Sequence, residues 1–292
     1  MTNGEGNHGE DVKELYFHLD SSPTHSYCKF LYKYPQTAFP YLELVNKNRK
    51  DRLSPEYELL DTGIFKDDRY FDCYIEYAKD EMNDILMKVT VYNRGPEPAT
   101  IHVLPHCWFR NFWNHNPRFT KPEIASISAN CLQAYSERNG SFFLYHEDGE
   151  QLFCDNETNN QRMYHRPNDT AFVKDGINNY VVNTAETVNP QKQGTKAAIW
   201  LQQKIEPGAA AVFKVQLSNI PIADPWIGFD EIFRKRQKDT NDYYEQLTPK
   251  NLVPEHKKIL RSALSGLQWT KQFYYLDVFK WLFGEPNETP PH

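Results

Sequence analysis

Apolar and polar side chains alternate with a period of two through much of the chain. Phe71, Cys73, Ile75 and Tyr77 alternate with Asp72, Tyr74 and Glu76, and Ile85, Met87, Val89 and Val91 alternate with Leu86, Lys88, Thr90 and Tyr92. This is the pattern of strands with one buried face. After the Gly- and Pro-containing segment 93–98, Ile101 and Val103 resume the alternation, which predicts a hairpin. Ala197, Ile199 and Leu201, then a reversal at Glu206, Pro207 and Gly208, then Phe213, Val215 and Leu217 predict a second hairpin. Apolar runs at 124–132, 141–145 and 151–154 add further strands. So many antiparallel strands imply a mainly β fold, a sandwich or barrel. The Asn-rich segment 155–194 reads as excursions from the sheet with little regular structure.

Beyond Ile222 the period changes. Asp224 followed by Pro225 has the form of an N-cap with proline at the first helical position, and Trp226, Phe229, Phe233 and Tyr243 or Tyr244 then share one stripe of a helix reaching about Gln246. A second helix is predicted from near Pro254 to Gly284, with Leu260, Leu264, Leu267, Tyr274, Val278 and Trp281 on one face. Trp269, Phe273, Leu276 and Phe279 occupy a neighbouring face, so from about Gly266 this helix is apolar nearly all round and must pack on several sides. Two readings stay open: the helix docks across the sandwich, or it opens a further helical domain. The organisation expected is a β-sandwich over residues 1–222, incomplete at its N-terminus, two C-terminal helices within 223–284, and a Pro-rich connector over 285–292.

Composition narrows the partners. With 33 basic against 39 acidic side chains the formal charge is -6, which repels a phosphate backbone, so no nucleic-acid partner is expected. The basic runs Lys47 to Arg52 and Arg234 to Lys238 read as solvated surface. No apolar stretch is long enough to cross a bilayer, and the opening MTNGEGNHGED is unlike a signal peptide, so a cytoplasmic chain without a membrane partner is expected. The five cysteines, an odd number without a CxxC pair, suggest neither a disulfide framework nor a zinc site. His102 and His106 are four apart but have Pro105 between them in a strand pattern, so no metal or other cofactor is expected.

No nucleophile elbow, metalloprotease, phosphate-loop or dinucleotide motif is present. The segment 107–116, CWFRNFWNHN, combines flat aromatic rings with amides and an arginine. Such rings stack on the C–H face of a sugar while Arg and Asn bond its hydroxyls, which makes Trp108, Arg110, Asn111 and Trp113 the candidate substrate-binding residues. The competing reading is that Trp108 and Phe109 end a core strand, with Arg110 and Asn111 satisfying loop carbonyls. The acids Asp61, Asp67, Asp68 and Asp72 read as turn and cap residues, one neutralised by Arg69, rather than as a paired catalytic set. No catalytic residue is assigned.

The stretches NGEGNHGEDVKELYFHLDSSPTHSY, KYPQTAFPY, ELLDTGIFKDDRYFD, VTVYNRGPEPATIHVLPHCWFRN and WTKQFYYLDVFKWLFGEP span nearly the whole chain. In them the chain resembles glycoside hydrolase family 63, in particular bacterial α-glucosidase and mannosylglycerate hydrolase-like members. The resemblance implies a super-β-sandwich, a helical linker and then an (α/α)6 barrel carrying an acid and a base. Those enzymes act on α-glucosidic or related α-mannosidic bonds of oligosaccharides by inversion. It further implies that this chain is the sandwich part with the first helices of the barrel region, that its partners are the missing barrel and an oligosaccharide, that the catalytic carboxylates lie beyond His292, and that the chain is inert alone. A rival of another class is a stand-alone carbohydrate-binding or scaffold sandwich.

Overall fold

The alternating segments form thirteen strands among the residues described by the computed structural model, which are 15–50, 53–114, 118–270 and 276–283. In chain order the first elements are β1 (Leu15–Ser21), β2 (Tyr27–Pro35), helix α1 (Tyr41–Lys50), β3 (Tyr70–Lys79), β4 (Asp84–Asn93), β5 (Ala99–Val103) and β6 (His106–Trp108). They are followed by β7 (Glu123–Ser128), β8 (Cys131–Ser136), β9 (Gly140–His146), β10 (Glu150–Cys154), helices α2 (Asn160–Tyr164) and α3 (Gly176–Asn183), β11 (Gln193–Gly194), β12 (Lys196–Ile205) and β13 (Ala210–Ser218). Helices α4 (Phe229–Leu247), α5 (Pro254–Trp269) and α6 (Val278–Phe283) complete the order. The expected antiparallel sandwich followed by C-terminal helices is present. One sheet has nine strands in the order β1-β2-β3-β4-β13-β9-β8-β7-β11, and the other has β12 between β10 and β5, with β6 also on β12. The segment 155–194 is more regular than its composition suggests, since it supplies α2, α3 and β11.

Neither predicted hairpin forms. β4 pairs with β3 and β13, β5 pairs with β12, and β12 and β13 lie in different sheets. Both reversals are therefore arches from one sheet to the other. The reason is burial. Val89, Val91, Phe213 and Val215 line the inner face of the large sheet, and Ile101, Ile199, Leu201 and Ile205 line the facing sheet in the same core. Two hairpins would leave these apolar rows side by side on one surface, whereas arches lay one row over the other. Hairpins do close between β3 and β4, β7 and β8, and β8 and β9.

Asn93 holds both arches. Its side chain is fully buried, its Nδ2 donates to Glu97 O at 2.7 Å and Ile205 O at 2.9 Å, and its Oδ1 accepts from Gly95 N at 2.9 Å and Gln36 Nε2 at 2.7 Å. Its backbone N–H donates to Ala209 O and its carbonyl accepts from Gly208 N. Gly208 sits at φ 71°, the left-handed region that favours glycine.

The outer face of the large sheet is only half polar. Leu86, Ala78 and Tyr27 are buried there beneath Phe229 and Phe233 of α4. Asp72 is also buried, between Lys33 and Arg94, each at 2.7 Å. α4 starts at Phe229 rather than beside Pro225 because Asp224 Oδ1 accepts the Trp226 N–H in a local turn and Gly228 at φ 73° breaks helical continuity. Arg236, expected as plain surface, reaches back from α4 and its guanidinium donates to Asp80 O at 2.7 Å.

The predicted long C-terminal helix is two separate helices, and the first of them takes the docking alternative. α5 docks on β1 and β2: Arg261 pairs with Asp20 at 2.6 Å, Ser21 Oγ donates to Ser265 O, and the Trp269 ring packs among His18, His25 and Phe30. Trp269 thus finds its partners on the sandwich, and the helix ends where that ring is held. The exposed apolar stripe belongs to α6 and the two residues before it, where Leu276, Val278, Phe279, Trp281, Leu282 and Phe283 are 52–69% exposed. Phe273 and Tyr274, and the connector 285–292, lie outside the described residues.

Two outcomes follow from this packing. Asn93→Ala leaves buried carbonyls and the Gly95 N–H without their partner, and at about 1–3 kcal/mol for each such group the unfolding free energy from urea titration should fall by about 3 kcal/mol or more; a loss below about 0.5 kcal/mol would remove Asn93 from its organising role. Covering each large side chain of α6 contributes roughly 1.5–3 kcal/mol, so the chain should self-associate in light scattering, and truncation after Thr270 should make it more monomeric with its strand content intact. Truncation before Leu252, which also strips α5 from β1, should lower the melting temperature. Equal stability of the two truncations would contradict the docking of α5.

Candidate functional site

Pro105 separates β5 from β6, yet both continue along one edge of β12 in the same register, Val103 opposite Leu201 and His106 opposite Ala198. Proline is tolerated because the edge needs no N–H there, and its carbonyl still accepts from Ile199 N at 3.0 Å. Past β6 the chain leaves the sheet at Trp108. Around this exit lie Ala134 of β8, Phe142 of β9 and Leu217 of β13, while Ile124, Leu132 and Leu144 of the same sheet are buried in the core.

A cavity of about 780 Å³ opens there. Its floor is the inner face of the large sheet, with Ala134, Phe142 and Leu217. Its walls are Trp108 and the segment after it, with Arg110, Phe112, Trp113, Arg118 and Phe119, and the β8–β9 turn, with Glu137 and Arg138; Thr120 Oγ1 joins the two by donating to Glu137 Oε2 at 2.8 Å. Trp108 is 58% exposed, so it does not end a core strand with its ring inside; Phe109 does pack on the core. The Arg110 guanidinium lies 5.0 Å from the Phe112 ring centre, and the Phe112 and Phe119 rings are 5.5 Å apart. Cys107 also lines the cavity, its thiol pushed up to about 11 by burial, which keeps it protonated near neutrality.

The second ring of the wall is fixed from behind. Trp113 Nε1 donates to Glu157 Oε1 at 3.1 Å, and Lys121 Nζ donates to the same oxygen at 2.9 Å and to Asp155 Oδ2 at 3.0 Å. Glu157 is buried. Burial alone would lower the Lys121 ammonium, but its hydrogen bonds to Glu157 and Asp155 outweigh that and raise it. Asn111 plays a different part from its three neighbours in the motif. Its Nδ2 donates to Asn156 O at 3.2 Å and its Oδ1 accepts from Asn114 N at 3.2 Å, and it is not among the lining residues. Thus Trp108, Arg110 and Trp113 meet in the cavity, and Asn111 shapes the loop that carries them.

The other sequence candidates lie elsewhere. Asp61 caps a short 3-10 turn through Glu58 N at 2.8 Å, Asp67 and Asp68 take left-handed turn conformations, and Asp72 is the buried partner of Lys33 and Arg94. Arg69 pairs with Glu97 at 2.9 Å rather than with one of these acids. His102 accepts from Trp200 Nε1 at 2.8 Å on the far side of the small sheet. Among the described residues no group of three or more His, Cys, Asp or Glu could hold a metal ion. Sequence reasoning missed Arg118, Phe119, Arg138 and Glu157, which come from three separate segments; the Pro105 break beside an aromatic-rich run is the one local sign of the cavity.

No family model matches the chain. An uncharacterized protein of Saccharomyces cerevisiae is 33% identical over 340 residues, an alignment covering 99% of this chain and 31% of the yeast protein. The chain therefore spans less than a third of that relative's length. Among solved structures, a galactose mutarotase related enzyme from Lactobacillus acidophilus is similar with a TM-score of 0.34 and 9% identity, covering 72% of each chain. A human-microbiome protein described as a kojibiose phosphorylase is similar with a TM-score of 0.29 and 8% identity, covering 68% of this chain and 21% of that one. Likeness at this level carries no argument about what the chain binds.

The fixed Trp113 ring gives a direct test. Glu157→Ala removes the acceptor of Trp113 Nε1 and leaves Lys121 with Asp155 alone, and should lower stability by about 2 kcal/mol and shift tryptophan emission to the red. Glu157→Gln keeps an acceptor for the indole and should shift emission less. If the Ala variant shows the same shift in a Trp113→Phe background, the network does not hold this ring.

Proposed function

We propose that this chain is the β-sandwich portion of a larger carbohydrate-active protein of the family 63 kind that it resembles, and that its cavity holds part of an oligosaccharide. The observation that carries the binding half is the aromatic wall: an exposed Trp108 and an anchored Trp113 flank Arg110 at the mouth of a cavity large enough for a few sugar rings. Rings held in place stack on a saccharide without first losing rotational freedom, and the adjacent guanidinium supplies hydrogen bonds to hydroxyls. The half concerning a larger protein is supported by the family resemblance and by a relative more than three times as long as the stretch it shares with this chain.

The reading assigns binding, not bond cleavage, to these residues. Inverting hydrolysis uses two carboxyl groups roughly 6.5–9.5 Å apart, one protonated and one ionised. Of the described residues lining the cavity, Glu137 alone has a carboxylate, and it accepts a hydrogen bond from Thr120 Oγ1 at 2.8 Å. The acid and base belong, on this reading, to the helical barrel, for which the apolar side of α6 is a natural attachment.

Titrating the chain with α-gluco- and α-manno-oligosaccharides should quench tryptophan fluorescence saturably, and Trp113→Ala should weaken the interaction by roughly tenfold, the cost of losing one good stacking contact. Incubation with nitrophenyl α-glucoside or α-mannoside should release no product above buffer. Absence of any saccharide-dependent change would sink the binding reading, and turnover abolished by Glu137→Gln would sink the non-catalytic one.

A further inference from the structure

We infer that the floor of the cavity takes an apolar group, so that its ligand is a glycoside with an alkyl or aryl aglycone rather than a saccharide with hydroxyls at every end. This rests on the saccharide reading above and adds to it the chemical class of the ligand. The lining is sorted by depth. Ala134 is buried in the core, and Cys107, Phe109, Phe142 and Leu217 pack against that core, partly buried. The charged side chains of the lining, such as Arg110, Glu137 and Arg138, are exposed at the rim, as is the Asn139 amide.

The polar atoms below the rim are already engaged. Trp113 Nε1, the one polar atom of that side chain, donates to Glu157 Oε1 at 3.1 Å, and Ser136 Oγ accepts from Asn139 N at 3.1 Å. The Cys107 thiol stays protonated and is a weak donor. A hydroxyl carried to the floor would lose its water and gain no strong partner among these residues, which is costly. A methylene chain or an aromatic ring gains from the same burial. The floor is also preformed. Ala134, Phe142 and Leu217 stand on β8, β9 and β13, which pair with one another in sequence along the large sheet, so filling it needs no rearrangement. With the apolar end seated there, the sugar end lies at the rim, where the exposed Trp108 ring and the Arg110 guanidinium are.

The test is calorimetry on the full chain with uncharged probes: maltotetraose, then methyl, butyl and hexyl α-glucosides below their micelle concentrations, nitrophenyl α-glucoside, and hexanol alone. Affinity should rise from methyl to butyl to hexyl by roughly threefold for each methylene buried. The hexyl and nitrophenyl glucosides should both bind more tightly than maltotetraose, and whichever of them leads tells an alkyl from an aryl aglycone. Leu217→Asn puts an amide on the floor and should flatten the rise with chain length while leaving maltotetraose unchanged, with circular dichroism to verify the fold. The chain-length series on the unsubstituted protein decides the matter even where that variant does not fold. If the methyl glucoside binds as tightly as the hexyl and nitrophenyl glucosides, the apolar floor is not used and the inference fails, while the saccharide reading stands. No binding of any saccharide or glycoside overturns both. Hexanol binding as tightly as hexyl glucoside would show an apolar pocket without sugar recognition, and would also overturn the inference.

Discussion

One buried amide, that of Asn93, closes the end of the sandwich at which both sheet-to-sheet crossovers lie. A sandwich must carry its chain between sheets without leaving backbone groups dry and unpaired, and arches are where that is hardest because the ladder stops there. Asn93 meets the difficulty with two donors and two acceptor positions used at once, toward Glu97 O, Ile205 O, Gly95 N and Gln36 Nε2. It joins the segment after β4 to the end of β12 and to the loop after β2. The facing of the two apolar rows, and therefore the whole core, depends on the two arches staying closed.

The cavity lies where the chain leaves the small sheet at the end of β6. Ala134, Phe142 and Leu217 of the large sheet form its floor, while Leu132 and Leu144 of the same sheet are buried in the core. The segment after β6 lines the cavity with aromatic rings rather than closing it. Its position is maintained by ties to the segment following β10: Trp113 to Glu157, Asn111 to Asn156 O, and Asn156 Nδ2 back to Phe109 O at 2.9 Å. The site is thus loop-built, but its loop is anchored on both of its polar sides.

On the opposite face the same large sheet is covered by helix instead of strand. Phe229 and Phe233 bury Leu86 and Ala78, while Gln237 and Tyr27 share Glu76, so a buried acid is compensated from two elements. α5 extends this cover to β1. The apolar side chains of α6 stay exposed instead, as a row of large residues on one short helix.

The sequence by itself determined the class of fold. Period-two alternation identified β3, β4, β12 and β13, and Pro254 marked the start of α5, because side-chain direction along a strand or helix depends only on local backbone geometry. It also picked out the run that holds Trp108, Arg110 and Trp113, since residue type is visible in a sequence. Only the tertiary structure decided which strands pair. The turns after β4 and β12 have the residues of hairpin turns, yet they form arches, because the choice between side-by-side and face-to-face is made by the summed burial of rows distant in sequence. The same holds for Leu86, polar-facing by pattern and buried by α4, and for Asn111, a ligand contact by composition but tied to Asn156 by the path of a loop. It holds for Arg138, which reaches the cavity only because β8 and β9 lie opposite β6. A periodic pattern states which face of an element is apolar; what covers that face is set by contacts between segments that no local pattern records.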